Sequence, residues 1–422
     1  MVSFDASVGA AQFIARPTRG ILRFRGDASV FWRLLIHGAV LLMFTLGIYR
    51  FWLTTDMRRF LWTNTELAGE SFEYTGTAVE LLLGFLIAIA ILAPINVVFF
   101  LFTFTAGSIG QLAGLAAPVL LLLLAQYAIY RARRYRLTRT IYRGVRFHQS
   151  GSAWHYSVCA AWWWSLTVIS LGLAYPFAQA SLERFKMRNT WFGNLPGRFE
   201  GSGGQLFVRG VILWVLAVVP LVGGVVATLI ALDWGALASG TGDDPSSWLE
   251  LSGLAGATVL ASLTGLWVLL TVAILYPIFQ SMVLRWWASG LRFGEVTVTS
   301  RLRTAQVFGV YGRFLGYAFL FTMAAGALVV VGAIVLGLVL GFDAESLGRE
   351  LVVTGAALAA YVAIALGYST IYQSTVKLGI WRCVVESLDL SNVAVLEKVS
   401  AAGEPSSPIG EGLADALNVG GI

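Results

Sequence analysis

Eight apolar stretches divide this chain, at roughly 31–52, 78–104, 108–130, 153–178, 206–232, 250–284, 308–341 and 351–379. Each is long enough for the ~20 residues that a helix needs to cross a bilayer core. Hydrocarbon offers no partner to a backbone N–H or C=O, so such segments are restricted to structures that bond their own backbone. The remaining residues are too few in charge to cover a water-facing body. Of the 422 residues, 57% are hydrophobic and 12% charged, against about 25% charged in a soluble domain. The expected fold is therefore all-α: a polytopic membrane helix bundle of eight apolar segments.

The links between the stretches sort by charge. Link 131–152 carries seven arginines and no acid, and links 179–209 and 285–313 are also basic. Link 233–250 is acidic, link 342–350 mostly so, and the link near 105–107 is short and neutral. Lys and Arg collect on the cytoplasmic side, so the basic links and both termini are expected there. Eight simple crossings would put link 131–152 outside. Six crossings, as three hairpins, remove that conflict if 31–52 and 153–178 are interfacial or re-entrant; eight crossings remain the alternative. The two exceptional stretches have fitting compositions. The first holds Arg33 and His37 and breaks at Thr45–Gly47; the second holds Trp162, Trp163 and Trp164 and breaks at Gly172 and Pro176. Arginine is costly inside a span, and tryptophan favours the headgroup layer.

Parts of one string, Thr45 to Gly76, recur along the chain. Arg59-Phe60 and Asn64-Thr65 match Arg184-Phe185 and Asn189-Thr190 at one offset, and Thr45-Leu-Gly matches Ser170-Leu-Gly. Thr65, Gly69, Phe72 and Gly76 match Thr140, Gly144, Phe147 and Gly151. Tyr276-Pro277, Gln280 and Arg285 match Tyr175-Pro176, Gln179 and Arg184, with a trace at Tyr372. The paired glycines suit turns with positive φ, so each copy predicts internal repeats built on a compact cytoplasmic hairpin between two greasy segments.

The run from FRGDASVFW through TLGIYRFW to NTELAGESFEYTG resembles the YjgN-like family of bacterial inner-membrane proteins, a domain of unknown function. The Gly-Ile-Tyr-x-x-Trp run at Gly47–Trp52 and the pair Asn64-Thr65 carry the resemblance. It is strongest over 22–80 and extends over 22–390. It implies an inner-membrane location with several spans, and no substrate or catalytic residue.

Candidate residues follow from where polar groups meet greasy segments. Asn96, beside Pro94 near mid-span, and Glu80, three residues after the cap Thr77, are intramembrane candidates. Gln126, Gln179 and Gln280 stand five residues before Arg131, Arg184 and Arg285. They read as wet helix edges and as members of a polar path. Arg59, Arg131, Arg134, Arg184 and Arg285 are expected to face lipid headgroups. No GxSxG, HExxH, phosphate loop or dinucleotide motif exists, and Cys159 and Cys383 read as free thiols. An enzyme, a metal and a cofactor are therefore not expected. The expected partners are the bilayer and its anionic headgroups, a small solute of unknown identity and a further copy of the chain, but no nucleic acid. Residues 1–29 read as a cytoplasmic lead without a cleavable signal, 30–388 as a repeat-built transmembrane domain, and 389–422 as a disordered tail. A small-solute channel or transporter is the first functional expectation. A non-catalytic, membrane-organising or lipid-interacting scaffold is the second.

Overall fold

The computed structural model describes residues 20–105, 107–232, 234, 252–340 and 347–419. Most of the lead, and most of the links at 233–250 and 342–350, lie outside the described residues. The chain begins with β1 (Gly20–Phe24), α1 (Ala28–Phe44), α2 (Arg50–Thr63), β2 (Thr65–Leu67), β3 (Glu70–Ser71) and β4 (Glu73–Tyr74). Next come α3 (Ala78–Thr105), α4 (Gly107–Thr138), β5 (Thr140–Tyr142) and β6 (Val145–Gln149). α5 (Ala153–Ile169) and α6 (Tyr175–Arg188) lead to β7 (Thr190–Phe192) and β8 (Leu195–Phe199). α7 (Gly203–Ala231) is followed by α8 (Ser252–Leu270), a π-helical turn (Thr271–Leu275), α9 (Tyr276–Gly290), β9 (Leu291–Phe293) and β10 (Val296–Ser300). Last are α10 (Thr304–Leu340), α11 (Leu347–Tyr372), a second π-helical turn (Gln373–Lys377), α12 (Leu378–Ser387), β11 (Leu388–Ser391), a 3-10 turn (Val393–Lys398) and α13 (Ile409–Ala416).

Helices are the bulk of the described residues, and among these five are long and apolar enough to cross a membrane: Ala78–Phe102, Gly203–Ala231, Gly256–Gly290, Thr304–Val339 and Glu350–Ser387. The stretch 31–52 is not one helix. It turns back between α1 and α2 at Leu46 (φ 51°) and Gly47 (φ 89°). The stretch 153–178 does the same between α5 and α6 at Leu171 (φ 50°) and Gly172 (φ 94°). Both tips are apolar and bare: Leu46 is 93% exposed and Ile169 79%.

The strands correct the all-α expectation. They form one sheet in the order β3-β2-β1-β11-β10-β9-β8-β7-β6-β5-β4, antiparallel at every pair. The two ends of this order, β3 and β4, are separated only by Phe72. The Phe72 N–H donates to Thr65 O at 3.1 Å on one side, and the Thr75 N–H donates to Arg139 O at 2.9 Å on the other. One extended run thus uses both of its edges, and the sheet closes into a ring of short strands. Open edge is confined to this one run, where β3 and β4 each have a single strand partner. Four of its hairpins have two-residue turns, at Ala68-Gly69, Arg143-Gly144, Gly193-Asn194 and Gly294-Glu295. The fifth pair, β1 with β11, joins the two ends of the chain. Strands of two to five residues are too short for their alternation to be told from turns in the sequence, which explains why the sheet was not expected.

The interior of the ring is packed. Leu22, Phe24, Leu67, Tyr142, Phe192, Val296, Val298 and Leu390 are buried in one cluster, with Phe72, Phe147 and Phe293 against it. Val393, Val395, Leu396 and Val399 of the 3-10 turn and its exit join the same cluster. Residues 389–419, read from the sequence as part of a disordered tail, therefore carry most of β11, the 3-10 turn and α13. Leu390 and the valines of the 3-10 turn pack in the ring, whereas Leu413, Ala414 and Leu417 of α13 and its exit pack on Ala128 and Ala132 of α4. The Ser400 N–H donates to the Asn194 side chain at the tip of the β7–β8 hairpin.

Candidate functional site

Each strand pair of the ring receives one helix and launches another. The receiving helices are α2, α4, α6, α9 and α12, and the strands that follow them begin at Thr65, Thr140, Thr190, Leu291 and Leu388. Six residues before those positions stand Arg59, Arg134, Arg184, Arg285 and Arg382. Arg59 donates to Gly76 O at 3.1 Å, Arg134 to Gly151 O, and Arg184 to Gly201 O at 3.3 Å. Each acceptor glycine precedes the cap of the launched helix: Thr77, Ser152 or Ser202. Thr77 and Ser152 accept from the N–H groups of Glu80 and His155, a normal use of a cap hydroxyl. Arg59, Arg134 and Arg184 thus clamp incoming to outgoing helices within the protein. Arg285 instead lines a polar cleft of about 640 Å³ with Arg209, Arg292, Gln205 and Glu200, where Arg292 pairs with Glu200 at 3.0 Å. Arg131 packs beside Gly410 of α13.

Seven residues before the same five positions stand Arg58, Arg133, Glu183, Leu284 and Trp381. A further three on come Leu61, Arg136, Lys186, Trp287 and Val384. This three-to-four spacing is one face of a helix. It has two sectors. On α4 and α6 both positions are charged, and on α2 the first, Arg58, is. On α9 and α12 it is aromatic and aliphatic.

In the charged sector the side chains bond to one another and to neighbouring elements. Arg58 pairs with Glu411 of α13, and both side chains are almost fully buried. Burial works against the Arg58 charge, but Glu411 and Tyr74 outweigh it and hold the guanidinium above its ordinary value. Arg136 lies 3.9 Å from the second oxygen of Glu411. Arg133 donates to Thr190 Oγ1 at 3.1 Å and to Gln149 Oε1 at 3.3 Å. Lys186 pairs with Glu183, which also accepts from the Trp287 indole at 3.2 Å. Burial pushes the Lys186 ammonium down, Glu183 opposes this, and Arg133 and Arg136 add to it.

In the apolar sector a chamber of about 570 Å³ opens above the ring. Its floor includes Leu22, Thr65, Phe72, Thr140 and Phe147, and its walls Leu61, Leu284, Trp287, Val376, Trp381 and Val384. The indoles of Trp62 and Trp381 donate to Thr140 Oγ1 and Thr65 Oγ1, at 2.9 and 3.1 Å. With their N–H groups satisfied, they present ring faces to the space. Gln280 and Lys377 are its polar wall residues; Gln280 accepts from the Tyr311 hydroxyl at 2.8 Å. Lys377 also lines a smaller polar pocket of about 160 Å³ with Arg50, Arg58, Gln373, Glu411 and Asp415. The two cavities therefore share Lys377 as a wall.

The remaining sequence candidates lie apart. Asn96 is exposed, and its amide donates to Leu92 O of its own helix at 2.9 Å. Glu80 accepts from the Tyr135 hydroxyl and from Arg139, both at 2.7 Å, and so ties α3 to α4. Gln126 and Gln179 are half-buried on α4 and α6. Of the five path candidates, Gln280 is the one that lines the chamber. Lys377, Trp287, Trp381 and Arg58 escaped the sequence reading. Aligning the three threonines that start the hairpins would have exposed the recurring arginine and the charged position next to it. Among the described residues, no group of three His, Cys, Asp or Glu is placed to hold a metal.

The family described as a bacterial protein of unknown function (DUF898) matches residues 19–416. No curated protein and no solved structure matches the chain. The match spans the ring, the chamber and the C-terminal helix, and it is consistent with the YjgN-like resemblance. The chain belongs to the DUF898 family of bacterial proteins of unknown function.

Proposed function

We propose that this protein binds an amphiphile drawn from the cytoplasmic leaflet of the bacterial inner membrane, and holds it in the chamber above the strand ring without catalysis. The observation that carries this is the chamber itself. It has the volume of a ligand pocket, an apolar and aromatic lining, and few polar wall groups. The transmembrane windows bury at most 11% of their residues within the protein, so the space between them above the chamber belongs to lipid. On this reading α3–α4, the α7–α9 pair and the α10–α12 pair cross as three hairpins. α1–α2 and α5–α6 dip in and return, and the ring and both termini lie in the cytoplasm. At 1.5 Å per residue a 17-residue helix spans only ~25 Å. The bare apolar tips at Leu46 and Ile169 fit an end in hydrocarbon rather than in water. The five helix–strand–helix units, with an arginine at one register in each, support an origin by internal repetition.

A solute channel along the same axis is the weaker reading, because its route would run through the packed interior of the ring. Native mass spectrometry after extraction in mild detergent tests the proposal. The wild-type protein should retain a stoichiometric amphiphile, and Leu284→Trp, which fills the chamber, should lose it. Equal retention by both, or rapid solute flux in proteoliposomes, would sink the proposal.

A further inference from the structure

Resting on the chamber as the binding site, we infer that its amphiphile carries a single negative charge, a carboxylate or a phosphodiester, anchored by Lys377. The charges of the polar pocket define this. Arg58 is matched by Glu411 and Arg50 by Asp415. Lys377 is left over: among the described residues it has no hydrogen bond and no acidic partner. The charged group that acts on it is Arg58, of the same sign. Lys377 is half-buried, a cation partly withdrawn from water without a counter-ion is unfavourable, and one monoanion would neutralise this pocket.

A second, independent observation comes from an unpaired donor. Arg58 lines the pocket, and its Nε–H is buried without a hydrogen-bond partner. Arg58 is 2% exposed, so its Nε–H can be satisfied only by something inside the pocket. The π-helical turn at Gln373–Lys377 brings Gln373 and Lys377 to the same cavity. Such turns often mark functional sites. The head of the ligand would sit between Lys377 and Arg58. Its chain would run past Val376 and Trp381 into the apolar chamber, which Lys377 also borders.

The test uses full-length protein in detergent, titrated with oleate, phosphatidylglycerol, phosphatidylethanolamine or inorganic phosphate, with native mass spectrometry as readout. Wild type should hold one monoanionic amphiphile and discriminate against phosphatidylethanolamine. Oleate against phosphatidylglycerol separates a carboxylate from a phosphodiester head. Lys377→Met should weaken the retained species by about tenfold or more, the value of one charge-assisted contact, and Lys377→Arg should restore it. A thermal unfolding scan confirms that each variant is folded. If Lys377→Met binds as wild type does while Leu284→Trp does not, the chamber stands and the anchor falls. If both bind as wild type, both readings fall. Equal retention of phosphatidylethanolamine, or of phosphate without a chain, also overturns the inference.

Discussion

The ring and the membrane hairpins are built on opposite principles. In the ring, residues as large as Tyr142 and Phe192 are 2% exposed, and every described strand except β3 and β4 is paired on both sides. In the transmembrane windows, three of the five bury none of their residues within the protein. Lipid tails are as apolar as leucine, so hydrophobic burial does not draw these helices together. The tertiary fold is therefore specified in the ring, where water drives apolar groups together, and the hairpins inherit their positions from it. This reverses the usual division in which loops decorate a membrane bundle.

The contrast can be broken most sharply in the ring interior. Tyr142→Ala removes a large buried ring and leaves Leu67 O without its 2.9 Å partner. It should cost about 3–5 kcal/mol, against roughly 0.5 kcal/mol or less for Val329→Ala in a window of α10. Thermal unfolding in detergent reads both, and equal losses would refute the contrast. The Arg58–Glu411 pair tests whether the C-terminal helix belongs to the same unit. Arg58→Ala should cost about 3–5 kcal/mol, because it leaves a buried carboxylate without its partner. Replacing both residues by leucine should recover much of that loss.

Packing of α13 gives the next effect. A Cβ on Gly412 would stand 1.9 Å from Gly84 C, so Gly412→Leu should displace α13 from α3. A loss of about 1–3 kcal/mol and faster trypsin cleavage near Lys398 should follow; an unchanged digestion rate would show that α13 is not docked there. Thr65→Val deletes the acceptor of the Trp381 indole and should cost about 1 kcal/mol, seen as a small drop in unfolding temperature. The smallest effect concerns Asp415. Burial raises its carboxyl above the ordinary value, Arg50 opposes this, and Glu411 adds to it. A carboxyl raised by folding favours the protonated state. Its contribution is thus fully present below the unfolded value and declines as pH rises through the folded one. Asp415→Asn should flatten that acid-side slope by under about 1 kcal/mol, measured by unfolding at a series of pH values.

The candidate site was only partly legible beforehand. Gln280 could be named because a glutamine inside a greasy stretch is unusual, and it does line the chamber. Lys377 could not, since one lysine near the end of a long span reads as an ordinary interfacial anchor. Asn96 drew notice for its depth, yet its amide is satisfied within its own helix. Arg59 and Arg184 were visible as matched arginines at one offset, while Arg134 was not aligned with them. Their use as clamps on glycine carbonyls was not, because the acceptors lie across a hairpin whose turn had to be formed first.

By itself, the sequence pointed to a membrane protein with long apolar helices and to the places where two of its greasy stretches turn back. Those features are local: hydropathy over about twenty residues, and glycines where φ must be positive. Only the tertiary structure decided that the turns are strand hairpins, that they close into a ring, and that the two ends of the chain supply its fifth pair. Ring closure rests on pairings such as Gly20 with Leu390, between strands of a few residues each. No window along the chain contains both partners, so their affinity emerges only when all the hairpins are in place.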